Sequence, residues 1–442
     1  MGINIAALLI ATAIALLATF ALSFHVASAL GLTAFVVGIT QIGDVSEFFG
    51  QIPWNLFSGT TIIVVPLFVL MGEILLRSGI TEELYETLAQ WMGRLPGGLL
   101  HTNILACGFF AAICGSSVAT ATTIGGVAMP SMRKYGYDER LAVGSIASGG
   151  TLGILIPPSI IMIVYGLMAE VSIAKLYMAG IVPGLLMMVA FMAVVMVVAL
   201  ISPAKAPAMH AMAGSLVERL KGLYAMLPVI VLMAMVLGTI YAGVATATEA
   251  AAFGCTGALL VALFKGRVSR AMLRETFRAT AATTGMVLLV LAGAFLLQFI
   301  LSLAGVPMLV SKWIVGLGLS EIQLILLLCA IYLLLGMFME SLAMIVTTLP
   351  IILPILVAMH VDLIWFGIIA TILVELSLIT PPVGMNLFVM QAVRSRLGPG
   401  EAGRSMNDVY LGVLPFIGAM IAVLAGVIFY PDLALALVKA MG

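Results

Sequence analysis

The sequence predicts an all-α polytopic membrane protein built from two inverted repeats, each with a re-entrant helical hairpin and a broken transmembrane helix. Three observations predict it. Of the 442 residues, 63% are hydrophobic and only 9% charged, against about 25% charged in a soluble domain. Apolar runs long enough to cross about 30 Å of hydrocarbon recur along the chain. An interrupted apolar stretch followed by a Pro-Pro break occurs twice, about 220 residues apart. A mean hydropathy of +1.26 makes lipid the solvent. A net charge of +0 leaves nothing to attract nucleic acid.

In chain order, full-length spans are expected at 3–24, 29–42, 53–76, 177–201, 224–242, 248–264, 279–303 and 411–430, the second being short. The first lacks a basic leader and a small-residue cleavage site, so it is read as a retained span rather than a signal peptide. The segment 81–94 carries Glu82, Glu83 and Glu86 opposite Leu84, Leu88 and Trp91, the pattern of an amphipathic helix lying in the interface. Thr81 suits its start, with carboxylates in the first turn favoured by the helix dipole. Cys107, Cys114, Cys255 and Cys329 lie in apolar runs without metal-ligand spacing and read as small buried hydrophobes.

The broken stretches follow one plan. The run 99–114 is interrupted by Gly115, Ser116 and Ser117 and resumes to 129. Each arm of about 15 residues reaches roughly 22 Å, too short to cross, so a re-entrant hairpin fits. After a polar loop, 141–148 runs into Gly149, Gly150, Thr151, Leu152 and Gly153, then Pro157, Pro158 and Ser159, then 160–168, as a helix unwound at its middle. Later, 322–335 meets Gly336, Glu340 and Ser341 and resumes to 358, and 363–377 runs into Thr380, Pro381, Pro382, Val383, Gly384, Met385 and Asn386. Paired interruptions in two halves point to a transporter's binding site.

Charge sets the relative sense of the repeats. Arg133, Lys134 and Arg140 follow the first hairpin, while His360 and Asp362 follow the second. Glu170 and Lys175 follow the first broken helix, while Arg394, Arg396 and Arg404 follow the second. Lys205, Arg219 and Lys221, and then Lys265, Arg267, Arg270, Arg274 and Arg278, fall in two further cytoplasmic segments. The positive-inside bias then opens the first hairpin to the cytoplasm and the second to the outside, so the repeats are inverted. The domain division expected is 1–52 for N-terminal scaffold spans and 53–204 for the first repeat (arm helix 81–94, hairpin 99–130, broken helix 141–169). Central scaffold helices follow at 205–278, then the second repeat and C-terminal span at 279–442 (hairpin 322–358, broken helix 363–392).

Unpaired backbone groups cannot face lipid, so the tips and breaks must face protein or water. Ser116, Ser117, Thr120 and carbonyls around Gly150 and Gly153 can cage one small cation; carbonyls near Gly336, with Thr380 and Asn386, can cage another. The half-helix N-termini beyond each break offer N–H groups and partial positive charge to a substrate carboxylate. Ser117, Thr151, Ser159, Glu340, Ser341, Pro381 and Asn386 are the candidates to meet the substrate. Small residues at helix contacts account for any one glycine or serine; they do not require hairpin, break, Pro-Pro and polar side chains together in both halves. Glu340 is open between an ion or proton site, a helix cap and a latch for the tip. Glu375 lies near the second break. Glu249 reads as a first-turn carboxylate behind a Thr cap, and Glu73 and Asp44 as solvated groups at span ends. His25, His101, His210 and His360 suggest no metal.

GSSVATATTIGGVAMP (115–130), GGTLGILIPPS (149–159), ATEAAAFG (247–254), GMFMESLAMIVTTLPIILPI (336–355) and LITPPVGMNLFV (378–389) together resemble the large membrane (permease) subunit of tripartite ATP-independent periplasmic (TRAP) transporters, in the ion-transporter superfamily. The resemblance implies an elevator-type scaffold and transport domain in a multi-pass protein of the bacterial inner membrane. It implies sodium ions, two or more, as the coupling ions, with no organic cofactor. Ser116, Ser117, Gly150, Gly153 and Pro157 match its first ion motif; Gly336, Glu340, Thr380, Met385 and Asn386 match its second, where the family varies between Asp and Glu at 340. It further implies a separate small membrane subunit, a periplasmic substrate-binding protein and a small organic anion: a C4-dicarboxylate, sugar acid or keto acid. A stand-alone dicarboxylate–sodium symporter or antiporter of the same superfamily is the alternative. An enzyme is not expected. The aspartates fall at loops or span ends, and there is no H-E-x-x-H. A channel fits hairpins closing from both faces less well than alternating access does.

Overall fold

The computed structural model describes residues 12, 14–16, 18–19, 24–208, 215–396 and 405–440, and no strand occurs among them. Most of the expected span 3–24 lies outside the described residues, as do His210 and Arg404. Helix α1 (Val26–Gln41) is followed by α2 (Ser46–Ser58) and, after a 3-10 turn at Thr61–Ile63, α3 (Val64–Arg77). The expected span 53–76 is therefore not one straight rod: α2 meets the following helix at 67°. Gly59, extended at φ −69° and ψ 136°, ends α2 and makes the corner. None of α2 is buried, and Trp54 is 73% exposed, as suits an aromatic side chain at a membrane interface.

Helix α4 (Ile80–Met92) begins behind Gly79, whose left-handed φ of 71° turns the chain out of α3. Thr81 is thus buried within the first turn and does not cap it, contrary to expectation. The hairpin comprises α5 (Gly98–Cys114) and α6 (Ser117–Lys134), the broken helix α7 (Glu139–Leu155) and α8 (Ile160–Ala169), and α9 (Ile173–Ile201) follows. Helices α10 (Leu216–Tyr241), α11 (Ala247–Phe264) and α12 (Arg270–Leu303) lead to the short α13 (Val306–Gly316). The second hairpin is α14 (Glu321–Gly336) with α15 (Ser341–Ala358), and the second broken helix is α16 (Leu363–Ile379) with α17 (Met385–Ser395). Helices α18 (Met406–Phe429) and α19 (Asp432–Ala440) complete the chain.

The repeats keep register closely. The bounds of α7 and α16 differ by 224 (139 to 363, 155 to 379), as do those of α6 and α15 (117 to 341, 134 to 358). The same step carries the capping Asp138 to the capping Asp362, left-handed Gly136 to left-handed His360, and cis Pro157–Pro158 to cis Pro381–Pro382. It also carries α4, which ends at 92, to α13, which ends at 316. This second short helix has no counterpart among the expected elements, which pass from the span 279–303 to the hairpin 322–358.

One expectation is corrected in detail. The first broken helix does not unwind at Gly149–Gly153; those residues are helical, and only Ile156–Ser159 break the ladder. The glycines instead admit neighbours. A Cβ on Gly149 would stand 3.1 Å from Cys107 on α5, and one on Gly150 would stand 2.8 Å from Ala121 on α6. Loss of chain here is confined to where Pro157 and Pro158 remove the amide donors.

The repeat elements form the interior. In the run Glu139–Ala169 and in α15, 78% of the most apolar window is buried, against 28% in α9 and α10, whose apolar sides face outward. Helix α18 lies on α7 backbone to backbone: a Cβ on Gly144 would meet the Gly412 carbonyl oxygen at 2.1 Å, and Arg140 pairs with Asp408 at 2.8 Å. Helix α12 packs on α1 and α3, and α3 on α11, while α12 and α3 also touch the hairpins, at α15 and α5. Helix α4 likewise touches both sides. Its Tyr85 hydroxyl donates to Asn103 on α5 at 2.9 Å, while Glu83 pairs with Lys265 and Arg267 beyond α11, and Arg219 of α10 stands 5.8 Å from the Trp91 ring.

Candidate functional site

Each hairpin tip is seated on the end of the broken helix of its own half. Gly115 takes φ 60°, and a Cβ there would lie 2.6 Å from the Pro158 carbonyl oxygen. Gly153 brings α7 against the tip, where a Cβ would stand 3.0 Å from the Ser116 carbonyl. In the second half the glycine has changed sides: Gly336 on the hairpin faces Ser377 on α16, with only 2.2 Å to the Ser377 Cβ. Only side chains lacking Cβ allow these approaches.

The tips are built by capping. Ser116 caps α6, accepting from the Ala119 amide at 3.5 Å, and its carbonyl accepts from the Thr120 hydroxyl at 2.7 Å. Glu340 caps α15, accepting from the Leu342 and Ala343 amides at 3.0 and 3.2 Å. Of the three roles left open for Glu340, the geometry supports the cap. Ser159 caps α8, accepting from the Met162 amide at 3.3 Å.

Both tips line one cavity of about 180 Å³. Ser116, Ser117 and Val118 come from the first tip, Glu340, Ser341 and Leu342 from the second, and Ile160 and Ile161 from beyond the first break. Three helix N-termini, those of α6, α8 and α15, therefore converge there, and such termini favour negative charge. The far wall is Gly72, Glu73 and Leu76 of α3 with Thr283, Met286 and Val287 of α12. The hairpin arms themselves make no substantial contact across the two halves; tips that meet while arms diverge suit entry from opposite faces.

Asn386 is not placed with Gly336 and Thr380. Its side chain accepts from the Ser117 hydroxyl at 3.0 Å and donates to the Ala147 carbonyl at 3.0 Å, so the second broken helix completes the first tip. Thr380 donates to the Leu376 carbonyl at 2.6 Å, and Met385 opens α17. Thr151 donates to the Ser148 carbonyl at 2.8 Å, and neither Thr151, Ser159 nor Pro381 lines the cavity. Glu375 is fully buried on α16, also away from it. Glu249 makes a reciprocal capping box with Thr246, as its position suggested. Glu73, one turn from the end of α3 and partly exposed as expected, also lines the cavity, paired with Arg77 at 3.0 Å. A carboxylate inside an apolar run, four residues before an arginine, was the available signal.

With this geometry in hand, the comparisons decide the family. The family model for the tripartite ATP-independent periplasmic transporter DctM component matches residues 5–433. The chain belongs to this family. The permease is 36% identical over 383 residues to the C4-dicarboxylate TRAP transporter large permease protein DctM of Pseudomonas aeruginosa, covering 86% of this chain and 87% of that protein. It is 31% identical to the sialic acid TRAP transporter large permease protein SiaM of Vibrio cholerae, covering 85% and 86%. Among solved structures, the YdaH transporter of Alcanivorax borkumensis superposes with a TM-score of 0.64 at 14% identity, covering 91% of this chain and 96% of that one, a likeness of fold. The permease is thus a multi-pass transport protein and not an enzyme.

Proposed function

We propose that this permease imports a small organic anion across a bacterial inner membrane, driven by sodium through an elevator motion. The observation that carries the proposal is the cavity shared by both hairpin tips. The helix ends of α6 and α8 suit a carboxylate, the α15 end being already capped by Glu340, and the wall facing them comes from α3 and α12. In this reading α1, α3, α11 and α12 are the fixed scaffold, α4 and α13 the arms, and the hairpins with both broken helices the moving body, the repeats spanning about 46–201 and 270–429. Sodium ions are taken as co-transported cargo. Ser116, Ser117, Thr120 and Asn386 supply neutral oxygens at the first tip, with Gly150, Gly153 and Pro157 shaping the backbone. Gly336, Thr380 and Met385 supply the second position. A C4-dicarboxylate, sugar acid or keto acid arrives on a periplasmic binding protein, and a small membrane subunit braces the scaffold.

The test is uptake in proteoliposomes holding the permease with its small subunit. Uptake that needs both an inward sodium gradient and the binding protein is the expected result. Transport without the binding protein supports the stand-alone symporter or antiporter instead, and uptake indifferent to sodium defeats the coupling.

A further inference from the structure

We propose that the first turns of α12 form a binding surface for anionic phospholipid headgroups, through the guanidinium stripe Arg270, Arg274 and Arg278. The three arginines recur every fourth residue and so occupy an arc of about 80° on one face of the helix. The opposite face holds Met272, Thr276 and Thr280, all buried against the protein. Every arginine of the stripe is exposed, and none forms an ion pair, even with the neighbouring Glu275. Lys265 and Arg267, by contrast, are engaged by Glu83. Among the described residues the stripe is therefore charge without an ion-pair partner, aimed away from the protein body.

Depth identifies the occupant. Helix α12 has 34 residues, about 51 Å of helix, where about 30 Å crosses the hydrocarbon. No charged residue follows Arg278 in the helix, so Arg278 marks the edge of the apolar layer. Arg274 and Arg270 stand roughly 6 and 12 Å further along the axis. The headgroup layer is about 5–8 Å deep on each side, which puts Arg278 and Arg274 among lipid phosphates and the Arg270 backbone a few ångströms beyond them, a distance its long side chain spans. Phe277, 59% exposed, projects beside the stripe, and Phe264, 88% exposed, ends the preceding helix; aromatic rings at this level anchor in the interface. Planar guanidinium groups match phosphate geometry in pairs of hydrogen bonds. A cytoplasm-facing basic cluster at the end of a span is suited to an anionic leaflet. The inference rests on the chain spanning a membrane with this end of α12 on the cytoplasmic side, the orientation that loop charge gives, and it stands apart from the sodium reading.

The experiment uses the purified full-length chain in mild detergent. Its thermal unfolding midpoint is followed as phosphatidylglycerol, phosphatidylcholine or inorganic phosphate is titrated in. Phosphatidylglycerol alone should raise the midpoint, less so at high salt. R270Q/R274Q/R278Q should need roughly a hundredfold more of the lipid, at about fivefold per arginine, whereas R270K/R274K/R278K keeps most of the response. If the triple glutamine variant does not fold, R274Q alone should show the fivefold change. An equal response to phosphatidylcholine or free phosphate overturns the assignment, as does an unaltered phosphatidylglycerol response in the glutamine variants. Loss of the response when the small membrane subunit is bound assigns the stripe to that protein instead, and also overturns it.

Discussion

Ser117 in the first hairpin tip donates a hydrogen bond to Asn386 in the second broken helix at 3.0 Å, across 269 residues of sequence. The Asn386 amide nitrogen continues the link to the Ala147 carbonyl at 3.0 Å. One side chain thereby joins the hairpin of one half, its broken helix, and the broken helix of the other half. The geometry of the first tip is in this way tied to the placement of the second break.

Asn386→Ala and Ser117→Ala should each raise the sodium concentration for half-maximal uptake by about tenfold, the equivalent of roughly 1.4 kcal/mol. Their cost in stability should be small, about 0.6 kcal/mol, the average for a polar contact between membrane helices. Uptake curves against sodium in proteoliposomes, with unfolding midpoints alongside, check both. Sodium curves that overlay the parent's would remove these residues from the ion site.

Glu340 accepts from two amides at the start of α15. Glu340→Ala should destabilise the protein by about 1 kcal/mol, as loss of an N-cap does, while Glu340→Asp should retain the cap. Neither change should alter the sodium dependence of uptake by more than twofold. A large sodium shift in Glu340→Asp, with stability unchanged, would show that the carboxylate binds the ion.

The two tip contacts differ in tolerance. A methyl on Gly336 would stand 2.2 Å from the Ser377 Cβ, whereas one on Gly153 would stand 3.0 Å from tip backbone. Gly336→Ala should cost about 1–3 kcal/mol through overpacking, and Gly336→Ala with Ser377→Gly should recover most of it. Thermal unfolding in detergent measures the recovery, and its absence would mean that the contact is not what limits the site.

A methyl on Gly72 would lie 2.9 Å from the Ile113 carbonyl oxygen, at the contact between α3 and the first hairpin. If that contact slides, Gly72→Ala should lower the maximal uptake rate severalfold while leaving substrate affinity nearly unchanged. An affinity change without a rate change would argue for a fixed contact.

Asp44 accepts from the Ser46 hydroxyl at 2.7 Å and the Ser46 amide at 3.0 Å, and those bonds hold its carboxyl below the usual carboxylate range. The stabilisation of the α2 start is therefore complete above the unfolded-state pKa of about 3.9 and is lost as pH falls through the lower folded value. Protection factors for amides at the start of α2, with the intrinsic pH dependence of exchange divided out, should fall at acid pH in the parent. In Asp44→Asn the fall specific to this turn should be absent.

Much of this was written locally. Ser116, Ser117, Pro157, Pro158, Glu340, Ser341, Pro381 and Pro382 mark the tips and breaks because missing amides and capping side chains act on adjacent backbone. Gly150 and Gly153 were misread because a glycine that loosens a helix and a glycine that lets another helix approach look alike along the chain. Helix α13 was overlooked because 11 residues make a weak apolar signal, although the 224-residue step from α4 predicts its end. That Glu73 also lines the cavity depends on which wall the hairpin tips face.

By itself, the sequence determined that lipid surrounds the protein, that two interrupted halves correspond, and which of their ends carry the basic loops. Those properties follow from composition, from backbone groups that need partners in hydrocarbon, and from loop charge, all of which act over a few residues. Only the tertiary structure decided that Asn386 serves the first tip, that Glu340 is occupied as a cap, that both tips share a cavity with Glu73, and that the arginines of α12 face outward. These depend on close packing between segments hundreds of residues apart, where a missing Cβ or one hydrogen bond selects among arrangements that leave every local signal unchanged.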